Sequence, residues 1–305
     1  MRGVDLMFKK IITIILDGFG MREDIYGNAI KNAGMNNFIN IWNHYPHCLL
    51  KASGPAIGLP EKQCSSSELG HKILGSGRQI ENKLDMLNEI FKKDSLKYNH
   101  KYNELLKYLS DHQDKKMHLI ILLSDGGVSS HIDHLRSFID ELNKSKVTND
   151  ILIHVISDGR DSDKYSVNKY IKEIENITGP KVKIASVCGR YYALDETRDY
   201  RRTKVFYDLL CEGRGVTAPN FARVIEKCYE KKLSDEYLPP LKTANYHNIE
   251  EKDVLLILNY SKSNQIQFIN ALCNKDFIEF NTQEKEIKVY SLYEIDKTVH
   301  KNYFF

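Results

Sequence analysis

A serine at the start of a predicted helix is the first candidate for chemistry in this chain of 305 residues. Ser67 follows a loop punctuated by Gly and Pro. It precedes Glu68–Leu74, where apolar residues recur at helical spacing until Gly75 and Gly77. Backbone N–H groups and the helix dipole at such a position favour a bound phosphate or a developing alkoxide. On spacing alone, the favoured interpretation is that one serine of Ser65–Ser67 only caps the helix.

A carboxylate after an apolar run is the second candidate. Ile11–Leu16 is apolar at nearly every position, and Asp17 and Gly18 follow it directly. Such a run predicts a strand buried on both faces. Proteins with α/β folds often present a metal-binding carboxylate at the end of a strand in this way.

The middle of the chain alternates between apolar runs and stretches with helical spacing. This alternation predicts an α/β fold with a mainly parallel sheet flanked by helices. Such sheets bind ligands beyond the carboxyl ends of their strands. The predicted strands are His118–Leu123, Ile151–Ile156, Val182–Val187, Val254–Leu258 and Ile287–Leu292, and two of the helices are Ile132–Leu142 and Val167–Ile177.

Polar motifs follow four of these runs. Each alone fits a tight turn, but together they predict one anion site at the carboxyl edge of the sheet. Asp125, Asp158, Arg160 and Arg190 are expected to converge there. The arginines suit a phosphate or a carboxylate, because a guanidinium binds such groups with two hydrogen bonds. The motifs are Ser124–Gly127, Ser157–Asp161, Cys188–Tyr192 and Asn259–Lys262.

Several of these segments closely resemble the cofactor-independent phosphoglycerate mutases of the alkaline phosphatase superfamily. That family opens with a strand and LDGWG, then GNAI, and has a serine loop reading ASG.A.GLPE.Q.GNSE.GH. The corresponding segments here are Ile15–Gly20, Gly27–Ile30 and Ala52–His71. The motifs of the family's phosphotransferase domain recur at Leu122–Val128, Ser130–His134, Asp158–Asp161 and Arg190–Asp195.

The resemblance implies a function and roles for site residues. Ser67 would be the phosphorylated catalytic serine and a ligand of two divalent metal ions, manganese first among them, with Asp17 as another ligand. Arg160, Asp161 and Arg190 would bind a small phosphorylated carboxylate, because the family interconverts 2- and 3-phosphoglycerate in glycolysis. Weaker candidates for substrate binding are Ser129, Ser130, His131, Arg198 and Lys262.

The chain also departs from the family pattern at the substrate positions. Ser129 stands where the family has a histidine, and Glu196 stands where it has an arginine. Ser261 and Asn264 replace two further arginines. Each lost charge-assisted hydrogen bond is worth roughly 1.5–3 kcal/mol, so substrate affinity is expected to fall. Arg198 and Lys262 would compensate in part.

The resemblance also implies a domain organisation. Residues 1–80 correspond to an amino-terminal fragment of the phosphatase-like domain, 81–293 to the phosphotransferase domain and 294–305 to a truncated tail. After residue 250 there is one histidine, His300, and neither the DxxxH nor the DHG motif that carries the family's metal ligands. The chain is therefore expected to be incomplete and inactive alone, unless a second chain supplies the missing phosphatase half. The resemblance implies that Ile11–Leu16 and the apolar part of Cys48–Ala52 are neighbouring strands of a sheet whose other members are missing. Residues 1–80 are therefore expected to pack poorly and to expose apolar surface.

Two alternatives remain open. One is a noncatalytic remnant or pseudoenzyme with weak anion binding. The other is a zinc hydrolase, because His131–His134 resembles part of the HxHxDH motif of metallo-β-lactamase-like enzymes, with Ser129 in place of the first histidine. The helix predicted at Ile132–Leu142 would instead give His134 a structural role.

Composition excludes several partners. The net charge is +3 with Lys and Arg interspersed among Asp and Glu, which gives no reason to expect nucleic acid. Ile11–Leu16 is too short for a membrane span or the core of a signal peptide. The six cysteines are widely spaced without a CxxC pair, which fits reduced thiols and a cytoplasmic protein.

Overall fold

The computed structural model describes residues 10–61, 63–298 and 301–305. Residues 1–9 of the predicted amino-terminal fragment and His300 of the predicted tail lie outside the described residues. The strands within these ranges are β1 Met117–Leu123, β2 Ile151–Ser157, β3 Val182–Gly189, β4 Val216–Thr217, β5 Leu241–Lys242, β6 Val254–Ile257 and β7 Lys288–Ser291. The α-helices are α1 Ala29–Asn32, α2 Asn36–His44, α3 Ser67–Ser76, α4 Lys83–Lys92, α5 His100–Asp111, α6 Ile132–Lys144, α7 Val167–Ile177, α8 Arg190–Ala193, α9 Tyr200–Cys211, α10 Phe221–Glu230 and α11 Ile266–Cys273.

The described strands form one sheet in the order β4-β5-β3-β2-β1-β6-β7. All neighbouring pairs are parallel except β3 and β5. Met117 of β1 pairs with Ile151 of β2 on one side and with Val254 of β6 on the other. The predicted α/β class is therefore confirmed, and the five apolar runs of the middle region are all strands.

The central strand β1 is buried on both faces, as a parallel sheet covered by helices requires. Leu119 and Ile121 belong to one apolar cluster, which includes residues of α4–α7 and α10. Ile120 and Leu122 point to the other cluster, with residues of α9 and α11. Burial of each such side chain stabilises the fold by roughly 1.5–3 kcal/mol. The two clusters therefore hold the helices against both faces of the sheet.

The amino-terminal strand prediction is wrong for the described residues. Ile11–Leu16 has no regular secondary structure, and the exposed fractions of Ile11, Ile12 and Ile14 are 87%, 85% and 77%. Cys48–Ala52 is not a strand either. A strand needs backbone partners and covering side chains, and the described chain provides neither at this place. The predicted exposed apolar surface is present over this region.

The poor packing does not extend through residue 80. Ile57 and Leu59 are buried in the same cluster as Leu84 and Leu87 of α4. The amide of Asn82 donates to the carbonyl of Gly58 at 2.5 Å, which ties the loop before α3 to the larger unit. Residues 54–61 and 63–80 therefore contribute to the cavity described below, whereas residues 10–53 are mostly exposed.

The carboxyl-terminal residues pack against the sheet. Phe304 is buried in the first cluster, and its carbonyl accepts a hydrogen bond of 2.6 Å from Asn99 at the start of α5. The backbone of Tyr303 forms a bridge with Ser291 at the end of β7. Among the described residues, none of the helices is long and apolar enough to span a membrane.

Candidate functional site

Ser67 is the first residue of α3, and its neighbour provides the cap. The hydroxyl of Ser66 accepts a hydrogen bond from the backbone N–H of Leu69 at 3.2 Å. The helix runs through Gly75 and ends at Gly77, whose φ of 64° is costly for any other residue type. Because Ser66 does the capping, the exposed hydroxyl of Ser67 is available for other contacts.

The hydroxyl of Ser67 donates to a carboxylate oxygen of Asp17 at 2.6 Å. The structure therefore brings the two predicted metal ligands together, although Asp17 lies in the exposed amino-terminal region. His71, one turn further along α3, contacts the backbone carbonyl of Ser67 with its Nδ1 atom at 2.6 Å. This ring is bound to the backbone rather than to the hydroxyl, so it is not placed as the base for Ser67.

Asp158 organises the carboxyl edge of the sheet. It follows β2, is almost completely buried, and accepts a hydrogen bond of 2.5 Å from the hydroxyl of Ser124 after β1. The backbone N–H groups of Arg160 and Asp161 donate to its other carboxylate oxygen at 3.2 and 3.1 Å. Nη1 of Arg190, after β3, is 2.5 Å from that oxygen and 2.7 Å from Oδ2 of Asp161. One carboxylate thus ties the ends of three strands together.

Close packing at this edge of the sheet explains why a glycine is needed at position 126. A Cβ at Gly126 would collide with the backbone carbonyl and the side chain of Asp161. The chain after β1 can therefore approach the turn after β2 only where a side chain is missing.

A cavity of about 380 Å³ lies between this edge, α3 and the beginning of α4. It gathers Ser67, Ser129, Arg160, Asp161 and Arg190 from segments that are far apart in the sequence. Its other lining residues are Leu59, Cys64, Ser65, Ser66, Glu68, Leu69, Lys72, Ile80, Glu81, Asn82, Lys83, Leu84, Gly127, Val128, Glu196, Tyr260, Ser261, Ser263 and Asn264.

The charges that line the cavity are partly neutralised within the protein. Burial disfavours the charge of Arg190, but Asp161 and Asp158 outweigh this and raise the pKa of its guanidinium. Lys72 donates to Glu68 at 2.6 Å, and this hydrogen bond lowers the pKa of Glu68. Arg160 is exposed and has no ion pair among the described residues, so its guanidinium is available to an anion.

Of the five weaker substrate-binding candidates, Ser129 lines this cavity and the other four lie outside its lining. The buried hydroxyl of Ser130 donates to the carbonyl of Leu122, and His131 caps α6 by accepting a hydrogen bond from the N–H of Asp133. Arg198 is exposed with a φ of 63°. The ammonium of Lys262 is half-buried, 4.0 Å from the carboxylate of Glu294. The side chain of Asp125 is exposed, and it too is not a lining residue.

Three of the residues that depart from the family pattern form hydrogen bonds with neighbours in the cavity lining. The amide of Asn264 donates to the hydroxyl of Ser129 at 3.0 Å, and both side chains are buried. The hydroxyl of Ser263 donates to Glu196 at 2.6 Å. Neutral and acidic groups that satisfy each other thus occupy positions where the resemblance would place arginines and a histidine.

The described residues do not fit a pair of divalent metal ions. Asp17 and Ser67 supply oxygen atoms at one place, but a cation of this kind needs about six ligands and a pair needs more. Within the described ranges no group of three or more His, Cys, Asp or Glu side chains is arranged to hold a metal ion.

The zinc-hydrolase alternative is wrong for the same described residues. His134 is buried in α6, where its Nε2 is 2.8 Å from the amide oxygen of Asn88 and its ring stacks on Phe91 with centroids 5.4 Å apart. Burial lowers the pKa of His134 to about 3. His131 is used as a helix cap, so the two rings have structural roles instead of forming a metal site with Asp133.

Sequence reasoning missed the contribution of α4 to the cavity. Lys83 lines it, and its ammonium donates to the backbone carbonyl of Tyr260 at 2.8 Å. Asn82 caps α4 by accepting a hydrogen bond from the N–H of Asp85, and an Asn three residues before an Asp is a recognisable start of a helix. That signal predicts the helix but not the cavity it faces.

An open, mainly parallel sheet defines an α/β protein, and here a cavity lined by two arginines lies at the carboxyl ends of the strands. Residues 87–297 match the model of the family described as BPG-independent PGAM N-terminus (iPGM_N). The chain belongs to the family of 2,3-bisphosphoglycerate-independent phosphoglycerate mutases.

Similar proteins cover this chain almost completely but extend well beyond it. The phosphoglycerate mutase of Clostridium tetani is 35% identical over 302 residues, which cover 95% of this chain and 58% of that protein. The mutase of Flavobacterium johnsoniae is 34% identical over 298 residues, which cover 96% of this chain and 59% of that protein. A crystal structure of Leishmania mexicana phosphoglycerate mutase at low cobalt concentration shares the fold, with a TM-score of 0.77 at 24% identity over 84% of this chain and 50% of that one. The chain therefore spans little more than half the length of these relatives.

Proposed function

We propose that this chain carries the substrate-binding part and the nucleophilic serine of a phosphoglycerate mutase, and that it is inactive alone. The observation that carries the proposal is the cavity that places Ser67 with Arg160, Asp161 and Arg190. Its substrate would be 2- or 3-phosphoglycerate, a small anion with a phosphate and a carboxylate. We further propose the division into residues 1–80, 81–293 and 294–305 and, since all six cysteines are free, a cytoplasmic location.

In this proposal each side chain has a distinct task. Arg160 has no ion pair in the part of the chain that the structure describes, and it would bind the phosphate or the carboxylate directly. Arg190 is held by Asp158 and Asp161, so it would present a fixed donor and keep the strand ends in register. The Oγ atom of Ser67, whose hydroxyl donates to Asp17, would form the new bond to phosphorus. The bond from phosphorus to the substrate oxygen would break, the serine proton would be given up, and the substrate oxygen would leave as a protonated hydroxyl.

The metal centre is the part of the proposal that the described residues do not complete. We propose that two divalent ions, manganese first among them, bind only when further Asp and His ligands from a phosphatase half join Asp17 and Ser67. A second chain is one source of those ligands. When bound, such ions would stabilise the negative charge of the phosphoryl group during its transfer, and the lack of ligands to hold them is the reason for expecting no turnover.

Substitution of Arg160 tests the anion site. Arg160→Ala is expected to weaken the binding of 3-phosphoglycerate roughly 10- to 100-fold, because one charge-assisted bond is lost. Isothermal titration calorimetry at low salt measures this, with Arg223→Ala as the matched control, since Arg223 is also exposed but lies on α10 away from the cavity. Equal affinities for Arg160→Ala and the parent chain would contradict the assigned site.

The activity of the purified chain tests the incomplete centre. With manganese present, no interconversion of 2- and 3-phosphoglycerate above background is expected, because Asp17 and Ser67 alone do not hold the metal ions. The measurement is a coupled enolase assay with Ser67→Ala as the control. Turnover that disappears in Ser67→Ala would show that the ligands in this chain suffice.

A noncatalytic remnant with weak anion binding is the second candidate. The observation that favours it is that Ser129 is bonded to Asn264 and Glu196 to Ser263, so these lining residues add one negative charge and no positive charge to the cavity. Addition of a separately produced phosphatase half distinguishes the two candidates. Restored turnover supports the mutase, and binding without turnover supports the remnant.

A further inference from the structure

Lys83 reaches the cavity from α4. It is the first residue of that helix and is half-buried. Its ammonium donates to the carbonyl of Tyr260 at 2.8 Å and lies 5.1 Å from the ring centroid of Tyr293. Among the described residues, no carboxylate forms an ion pair with it.

Two of the other cationic side chains that line the cavity are paired with carboxylates. Lys72 is paired with Glu68, and Arg190 is paired with Asp158 and Asp161. Within the described part of the chain, Lys83 and Arg160 are the lining cations without a carboxylate partner. A dianionic ligand in this cavity would find its uncompensated positive charge at these two side chains.

The surroundings of Lys83 add a second argument. Burial lowers the pKa of its ammonium and nearby Lys72 and Lys262 lower it further, although Glu68 acts in the opposite direction. A bound anion relieves both effects, because it neutralises a desolvated charge and screens three cations from one another. Tyr260 uses one of the three ammonium protons, which leaves two for the ligand.

We propose that Lys83 is a binding residue for the phosphate or carboxylate of the substrate, acting together with Arg160. Glu196, Ser261 and Asn264 also line the cavity but carry no positive charge. Lys83 supplies from α4 part of the positive charge that is missing at their positions. This inference rests on the proposed function, because it assumes that the ligand is a small phosphorylated carboxylate.

The test compares variants of the full chain in the binding of 3-phosphoglycerate and of inorganic phosphate. Lys83→Met is expected to raise the Kd for 3-phosphoglycerate roughly 10- to 100-fold, and Lys83→Arg to keep it within about threefold of the parent chain. Lys107→Met is the matched control, since Lys107 is exposed on α5 and does not line the cavity. Thermal unfolding of each variant shows that it is folded.

The outcomes separate the two claims. An unchanged Kd in folded Lys83→Met, with weakened binding in Arg160→Ala, overturns the role of Lys83 and leaves the proposed function in place. Absence of binding by the parent chain overturns both. If Lys83→Met does not fold, acetylation of the parent chain followed by mass spectrometry replaces it. Protection of Lys83 but not Lys107 by 3-phosphoglycerate supports the inference, and equal modification with and without ligand overturns it.

Discussion

Replacement of Asp158 by alanine is expected to lower the free energy of unfolding by about 3–5 kcal/mol, the cost of removing one partner from a buried ion pair. Asp158 is almost fully buried, and its carboxylate accepts hydrogen bonds from Ser124, Arg190 and two backbone N–H groups. Without it, the guanidinium of Arg190 keeps only Asp161, and the hydroxyl of Ser124 loses its acceptor. Urea denaturation at pH 7 measures the change.

Asp161→Ala is the matched control for this substitution. Asp161 is partly exposed and pairs with the same Nη1 atom of Arg190, but its removal leaves the hydrogen bonds to Asp158 intact. The expected loss is about 1 kcal/mol, the typical net value of one hydrogen bond. Equal losses for the two variants would show that Asp158 does not organise the strand ends and that the pair with Arg190 is all that matters.

The second large effect is a loss of stability in mild acid. His118 and His154 lie side by side inside the sheet, with Nδ1 of His118 2.8 Å from Nε2 of His154. His154 also contacts the hydroxyl of Ser186, and His118 contacts the carboxylate of Asp253, while the ring of Tyr246 packs against both. Burial lowers the pKa of His118, although Asp253 partly opposes it. Burial and the neighbouring His118 lower the pKa of His154 strongly.

The direction of the pH effect follows from these shifts. In the unfolded chain the histidines have a pKa near 6.5, whereas in the folded chain it is lower. Below pH 6.5 the unfolded state therefore binds more protons, and stability that is fully present above this pH is lost as the pH falls. Between pH 7 and pH 5 the loss is about 2 kcal/mol for His134, and protonation of His154 changes the stability in the same direction.

Denaturation at pH 7 and at pH 5 measures this difference. In His134→Gln the difference between the two pH values should shrink by about 2 kcal/mol, because one of the histidines that resist protonation has been removed. His100→Gln is the control, since that side chain is highly exposed and its removal should leave the difference unchanged. A parent chain with the same stability at both pH values would contradict the assignment.

Local sequence patterns suffice to predict the sheet and the part of the site that contains Arg160 and Arg190. Runs such as Ile151–Ile156 are apolar on both faces, and only a parallel sheet covered by helices buries both. Because parallel strands end at one edge, Arg160 and Arg190 are predicted to share a site even before their contacts are known. Helix α7 is predicted with its observed bounds, since Val167, Tyr170, Ile171 and Ile174 recur at helical spacing.

The remaining parts depend on neighbours that a local pattern does not contain. Ile11–Leu16 has the composition of a buried strand, but a strand forms only where another backbone and covering side chains are present. The pairing of Asn264 with Ser129 joins residues 135 positions apart, and no spacing rule predicts it. Lys83 is recognisable as a residue near the start of a helix, but only the tertiary structure shows that it lines the same cavity as Arg160.

The contact between Ser67 and Asp17 joins two parts of the chain with very different local stability. Ser67 begins a helix whose Leu69 and Ile73 pack against the core, whereas Asp17 follows exposed Ile11–Leu16. Local opening of a segment with few buried contacts costs far less than global unfolding. The serine can therefore exchange Asp17 for another partner while Arg160 and Arg190 stay in place at the strand ends. In the proposed function, the reactive end of the cavity would then assemble independently of the groups that bind the anion.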